Sequence, residues 1–114
     1  MPNYVIHVAK PAEKQIRRLD KKAQRIVIRA LERLESNPRP PKSEKIGGHP
    51  PFLRIRASSY RIIYAVENRA VIILRVRSRK NAYEGLDNLN PQLHEALVEL
   101  AHSTLDAMPP AGSA

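Results

Sequence analysis

Between residues 52 and 77 three runs of alternating apolar and polar or basic residues follow one another with almost nothing between them. Residues 52–57, 60–67 and 70–77 read as strands, with Ala57-Ser58-Ser59 and Glu67-Asn68-Arg69 as the connections. Connections this short join only antiparallel neighbours, because a parallel crossover needs a dozen residues or more. The segment therefore predicts a three-stranded antiparallel meander, and the rest of the chain must cover it.

Alternation assigns faces to these strands. Arg54 and Arg56 fall on one side, away from Leu53 and Ile55, and Arg75, Arg77 and Arg79 group together on the third strand. Ile72, Leu74 and Val76 are then expected to face the helices. Ile63 and Ala65 share a face with Arg61, so the middle strand is apolar on both sides with Arg61 at its entrance.

Before the meander, residues 4–8 alternate as a short first strand, in which His7 reads as structural. From Pro11 the spacing becomes helical: Ile16, Leu19, Ala23, Ile26 or Val27, Ala30, Leu31 and Leu34 share one face. Asp20 is placed to cap a second helix, which leaves a helical hairpin and one kinked helix both open. Arg18, Lys22, Arg25, Arg29 and Arg33 lie opposite the apolar stripe, as a solvated face or as a long-range hold on RNA. Asn37-Pro38-Arg39-Pro40-Pro41 stops the helix. Residues 42–51, with Gly47-Gly48 and Pro50-Pro51, read as a connector.

After the meander, Asn90-Pro91 marks a helix start, with Asn90 as N-cap and Leu93, Leu97, Leu100 and Ala101 as its apolar stripe. The expected organisation is a single domain over residues 1–107 and a disordered tail over 108–114. A chain of 114 residues with 42% hydrophobic content forms one core rather than two.

Charge narrows the function. Residues 54–80 hold eight basic side chains against Glu67 alone, +7 of the formal +9 of the whole chain. Crowding like charges on one sheet costs repulsion and desolvation, which a bound polyanion, nucleic acid above all, would offset. With no cysteine there is neither a disulfide framework nor a thiolate metal site, and the four histidines are too scattered for a zinc signature. The reading predicts no metal and no cofactor. It also predicts a cytoplasmic protein with no membrane partner, because neither a signal-peptide pattern nor a long apolar run is present.

Leu53-Arg54-Ile55-Arg56, then Tyr60-Arg61-Ile62-Ile63-Tyr64, and finally the run from Leu74 through Arg75, Arg77, Arg79 and Lys80 to Tyr83 carry a family likeness in their order and spacing. Together with the strand and two helices before them, they resemble the RelE/ParE superfamily of toxins from bacterial type II toxin–antitoxin systems, over roughly residues 4–83. The resemblance implies an α+β fold like that of microbial ribonucleases: N-terminal strand, two helices, three-stranded antiparallel meander and C-terminal helix. In the RelE branch it further implies a metal-independent endoribonuclease that cuts messenger RNA in the ribosomal A site. The ParE branch instead inhibits DNA gyrase.

On the RelE-like reading, Arg61, Arg77 and Tyr83 are the catalytic candidates. Arg54, Arg56, Arg75, Arg79, Lys80 and Lys45 are the RNA-binding candidates, with Arg79 a further catalytic one. Such a reaction needs the RNA 2′-hydroxyl to attack the adjacent phosphorus while a negative phosphorane-like state is stabilised. Guanidinium groups suit that task because their planar forks bond phosphate oxygens in pairs and stay charged. The implied partners are the ribosome with its messenger RNA and a cognate antitoxin, in a hetero-oligomeric complex. Ser78, Asn81 and Ala82 depart from the residues commoner in the superfamily.

Overall fold

The computed structural model describes residues 4–107, with side chains described as far as residue 103; the expected tail at 108–114 lies outside the described residues. The chain order is β1 (Val5–Val8), α1 (Lys10–Arg17), α2 (Lys21–Ser36), β2 (Glu44–Lys45), β3 (Leu53–Ala57), β4 (Tyr60–Glu67), β5 (Ala70–Ser78), a single 3-10 turn (Leu86–Asn88) and α3 (Leu89–Ala107). The five strands form one sheet in the order β1-β5-β4-β3-β2. The fold is α+β, as expected.

The meander forms with the registers that two-residue turns dictate. Ala57 pairs with Tyr60 and Glu67 with Ala70. Ser58 and Asn68, the first residue of each turn, take positive φ of 58° and 54°, the conformation that lets a tight turn follow the right-handed strand twist. Two further strands extend the sheet, the expected β1 at one edge and an unexpected β2 at the other. β1 runs parallel to β5, Val5 opposite Ala70 through Val8 opposite Ile73. The connector contains β2, which pairs Glu44 with Arg54 and Lys45 with Leu53. Ile46 and Phe52 close its loop, their backbones bonded at 3.0 Å and both side chains buried.

The helical segment resolves as a hairpin. The Asp20 carboxylate accepts from the Ala23 amide at 2.8 Å, a cap of the kind that stabilises a helix by about 1 kcal/mol. α2 buries Ala23, Val27, Ala30, Leu31 and Leu34 and leaves Lys22, Arg25, Arg29 and Arg33 exposed. Tyr64 ties down the chain just after α2, its hydroxyl donating to the Pro38 carbonyl at 2.7 Å.

Two cores flank the sheet. α1 and α2 pack on one face, over Leu53, Ile55, Ile62, Tyr64, Val71, Ile73 and Val76. α3 packs on the other through Leu89, Leu93 and Ala96, over Ile63, Ala65, Ile72 and Leu74. The helix begins at Leu89, so Asn90 sits in its first turn rather than capping it. Gly85 in the left-handed region (φ 58°) leads into the 3-10 turn, and Leu89 is fully buried. Ala101, expected in the apolar stripe, is exposed.

One irregularity corrects the face assignment. Ile63 pairs with Arg75 but Tyr64 pairs with Ile73, leaving Leu74 as the extra residue of a β-bulge. Beyond it the alternation of β5 is inverted. Val76 joins the α1/α2 core instead of sharing a face with Ile72 and Leu74. Arg77 becomes the direct partner of Arg61, which in turn pairs with Arg56. Strict alternation along one strand cannot anticipate this, because an inserted residue flips every side chain after it. Among the described residues, no helix is long and apolar enough to cross a membrane.

Candidate functional site

α3 covers the part of its sheet face nearest the β4–β5 turn, where Leu97 and Leu100 approach Glu67–Ala70. The opposite end of that face is uncovered, and the arginines occupy it. β3 sends Arg54 and Arg56 there, and β4 adds Arg61. The chain leaving β5 returns past them, held by the Arg79 amide donating to the Ser59 carbonyl at 2.9 Å.

These elements enclose an open cavity of about 480 Å³ lined by Lys45, Ile46, Gly47, Arg54, Arg56, Arg61, Arg79 and Tyr83. Five cations and one aromatic ring converge on it, and its lining holds neither carboxylate nor histidine. Its members are held to different degrees. Arg61 is 8% exposed, and its Nη1 donates to the carbonyls of Tyr60 at 3.1 Å and Ser58 at 3.4 Å. That anchors the guanidinium while leaving other donors of its fork for a ligand. Arg54 bonds Glu44 at 2.6 Å and stands 5.6 Å from the centre of the Tyr83 ring, within cation–π range. Arg56, Arg79 and Lys45 are exposed, as is Tyr83 at 39%.

Three of the residues singled out in the sequence lie elsewhere. Arg77, although Arg61's cross-strand partner, lines a neighbouring cleft with Gln15, Arg18, Tyr60, Asn81 and Glu84. Arg75 is buried at 2% exposure, its guanidinium donating to the carbonyls of Ala82, Glu84 and Gly85. Burial lowers its pKa, Arg77 nearby lowers it further, and Glu84 opposes them. Lys80 is exposed in the turn after β5 and does not line the cavity.

Sequence reasoning passed over Glu44, Ile46 and Gly47. A two-residue strand has no readable period, so nothing in residues 42–51 signals that Glu44 meets Arg54. His7 faces α3, its Nε2 3.8 Å from Glu99 and outside the cavity. Among the described residues, no group of three or more histidines and carboxylates is arranged to hold a metal ion.

Residues 6–83 match the ParE toxin family of type II toxin–antitoxin systems, parDE. The chain belongs to that family, and so to the RelE/ParE toxin superfamily. Among solved structures it is similar to the toxin in an archaeal RelE–RelB complex from Pyrococcus horikoshii OT3, with TM-score 0.61 and 26% identity, covering 70% of this chain and 99% of the other. It is similar to that in the intact E. coli RelBE toxin–antitoxin complex, with TM-score 0.58 and 25% identity over 66% and 95% of the two chains. A free, doubly substituted E. coli toxin RelE shares the fold, with TM-score 0.62 and 22% identity over 76% and 93%. No curated protein matches significantly.

Proposed function

We propose that this toxin is a ribosome-dependent endoribonuclease that cleaves messenger RNA in the A site and is neutralised by a cognate antitoxin. The observation that carries the reading is the convergence of Arg61, Arg79, Arg54, Arg56, Lys45 and Tyr83 on one cavity. In the proposed reaction the 2′-oxygen bonds to phosphorus as its proton passes to solvent water. The bond from phosphorus to the 5′-oxygen breaks, and that oxygen takes up a proton from solvent water, leaving a cyclic phosphate on the upstream fragment. Arg61 and Arg79 face the cavity where negative charge would build on the phosphoryl oxygens, and a preorganised donor there typically lowers the barrier by about 3–4 kcal/mol.

Arg54, Arg56 and Lys45 neutralise the flanking phosphates, and the Tyr83 ring offers a face for a base. With no histidine or carboxylate in the lining, catalysis rests on charge stabilisation and in-line positioning rather than on an acid–base pair. The ribosome supplies that positioning by presenting one codon in a fixed geometry. The antitoxin would cover the same cations with an acidic segment, since complementary charge favours such pairing. The RelE–RelB and RelBE complexes among the similar structures support such a partner and a hetero-oligomeric assembly.

A second reading follows from the family match itself: a ParE-like inhibitor of DNA gyrase with no nuclease activity. Such a binding protein has no need of a tyrosine and several guanidiniums around one cavity. Purified toxin on translating ribosomes, beside a gyrase supercoiling assay, separates the two. The nuclease reading expects cut messenger RNA within the A-site codon and unaffected supercoiling. Inhibited supercoiling with intact messenger RNA would transfer the assignment to gyrase.

A further inference from the structure

Arg75 is the most deeply buried charged side chain among the described residues, yet no carboxylate bonds it. Its fork meets main-chain oxygens instead. Nη1 donates to the Ala82 carbonyl at 2.9 Å and to the Glu84 carbonyl, and Nη2 to the Gly85 carbonyl at 3.2 Å. These oxygens bracket Tyr83, one before it in the chain and two after. Resting on the nuclease reading above, we infer that Arg75 is a positioning residue: a buried clamp that holds residues 82–85 so that Tyr83 stands at the wall of the RNA cavity.

Stability does not account for an arginine there. A buried charge with no carboxylate bonded to it is costly, and a hydrophobic side chain of similar volume usually serves a core as well or better. What only a guanidinium supplies is several donors in a rigid plane that stay charged despite burial, where a lysine ammonium would tend to lose its proton.

The clamped segment has little else to hold it. Its local backbone bonds are Asn81 to Ser78 at 3.0 Å just before it, Glu84 to Asn81 at 3.3 Å, and Asn88 to Gly85 at 3.1 Å at its far end. Ala82 is fully buried, Tyr83 is 39% exposed, and the ring contact that Tyr83 makes is with Arg54. The direction of the ring is therefore set by the backbone on either side of it, which Arg75 grips. The bulge in β4–β5 brings Arg75 into this place, as the residue following the inserted Leu74.

The test uses Arg75→Met, Arg75→Lys, Tyr83→Ala and the double variant Arg75→Met/Tyr83→Ala, read by amide hydrogen exchange and by single-turnover cleavage on programmed ribosomes. In Arg75→Met, exchange over residues 82–85 is expected to rise about ten-fold or more, while β3 and β4 keep their protection. Cleavage should fall by about 10- to 100-fold, the scale of a misplacement near 1 Å. In the Tyr83→Ala background the same substitution should cost less than about two-fold further, because the ring it positions is gone. Arg75→Lys should resemble Arg75→Met.

Unchanged exchange at 82–85, or losses that multiply in the double variant, would overturn the clamp. Should Arg75→Met not fold, Arg75→Lys and Arg75→Gln provide the same readouts. If none of the three folds, Arg75 is a stability element and the inference fails. If the wild type cleaves no RNA, the nuclease reading falls on its own, and the exchange measurement still decides whether Arg75 holds the segment.

Discussion

Arg61 and Arg77 are directly opposed across β4 and β5, yet Arg61 lines the basic cavity and Arg77 lines the cleft beside it. The Arg61 guanidinium is drawn back onto the carbonyls of its own turn, Ser58 and Tyr60. That of Arg77 reaches the Asn81 carbonyl at 3.5 Å, among exposed groups that include Arg18 and Glu84. In the cavity, Arg61 is joined by Arg54 and Arg56 from β3 and by Arg79 from the chain leaving β5.

Tyr83 presents a ring to the cavity beside Arg54. If it stacks on a base, the ring matters and the hydroxyl does not. Tyr83→Phe should keep cleavage within about three-fold, whereas Tyr83→Ala should lose about ten-fold or more, the scale of one lost stacking contact. Single-turnover rates on programmed ribosomes check this. A loss in Tyr83→Phe as large as in Tyr83→Ala would make the phenol a proton carrier instead.

Arg56 and Lys45 are exposed in the cavity lining, and on the nuclease reading they act on phosphates through water. Each removal should lower the slope of log affinity against log salt by about 0.7 for a single strand, without changing which position is cut. RNA binding titrated from low to high salt measures the slope, and cleavage mapping measures the position.

Glu44 bonds Arg54 at 2.6 Å from an exposed position, and on the nuclease reading it competes with RNA for that arginine. Glu44→Gln should release that arginine and tighten RNA binding by about two- to five-fold at low salt, the range of an exposed ion pair. The gain should vanish in the Arg54→Ala background. Equal tightening in both backgrounds would mean that Glu44 acts only through net charge.

Tyr64 connects pH to stability. Burial raises its pKa above the usual phenol value, outweighing the opposing effects of Ser43 and Arg39. A raised folded pKa means a contribution fully present below the unfolded value of about 10 and lost as pH rises through the folded one. Tyr64→Phe should cost about 1 kcal/mol near neutrality through the lost Pro38 bond, and the gap to wild type should close above about pH 10. Denaturant unfolding across pH 7 to 11 gives both values.

How much of this is legible in the sequence depends on the length of each signal. The eight residues of β4 and the two-residue turns carry a period that leaves no other fold for that segment, and Asp20 stands where a helix cap must. β2 is two residues long and exists only through its pairing with β3, so it leaves no trace in residues 42–51. The bulge at Leu74 is set by pairing between two strands, which a pattern along one strand does not contain. For that reason alternation alone puts Val76 on the wrong side. The basic residues can be named individually, but not sorted: Arg54, Arg56, Arg61 and Arg79 meet with Lys45 and Tyr83, while Arg75 turns inward and Arg77 turns aside.

The sorting supplies the most direct measurement: single-turnover cleavage of messenger RNA on programmed ribosomes by Arg61→Ala, Arg79→Ala and Arg77→Ala toxins, each checked for folding. If the cavity is where the phosphodiester reacts, Arg61→Ala and Arg79→Ala each lose about 100- to 1,000-fold, the cost of one preorganised donor, while Arg77→Ala loses less than about ten-fold. A loss in Arg77→Ala as deep as in Arg61→Ala, with Arg79→Ala near wild type, would contradict the account and move the chemistry into the neighbouring cleft.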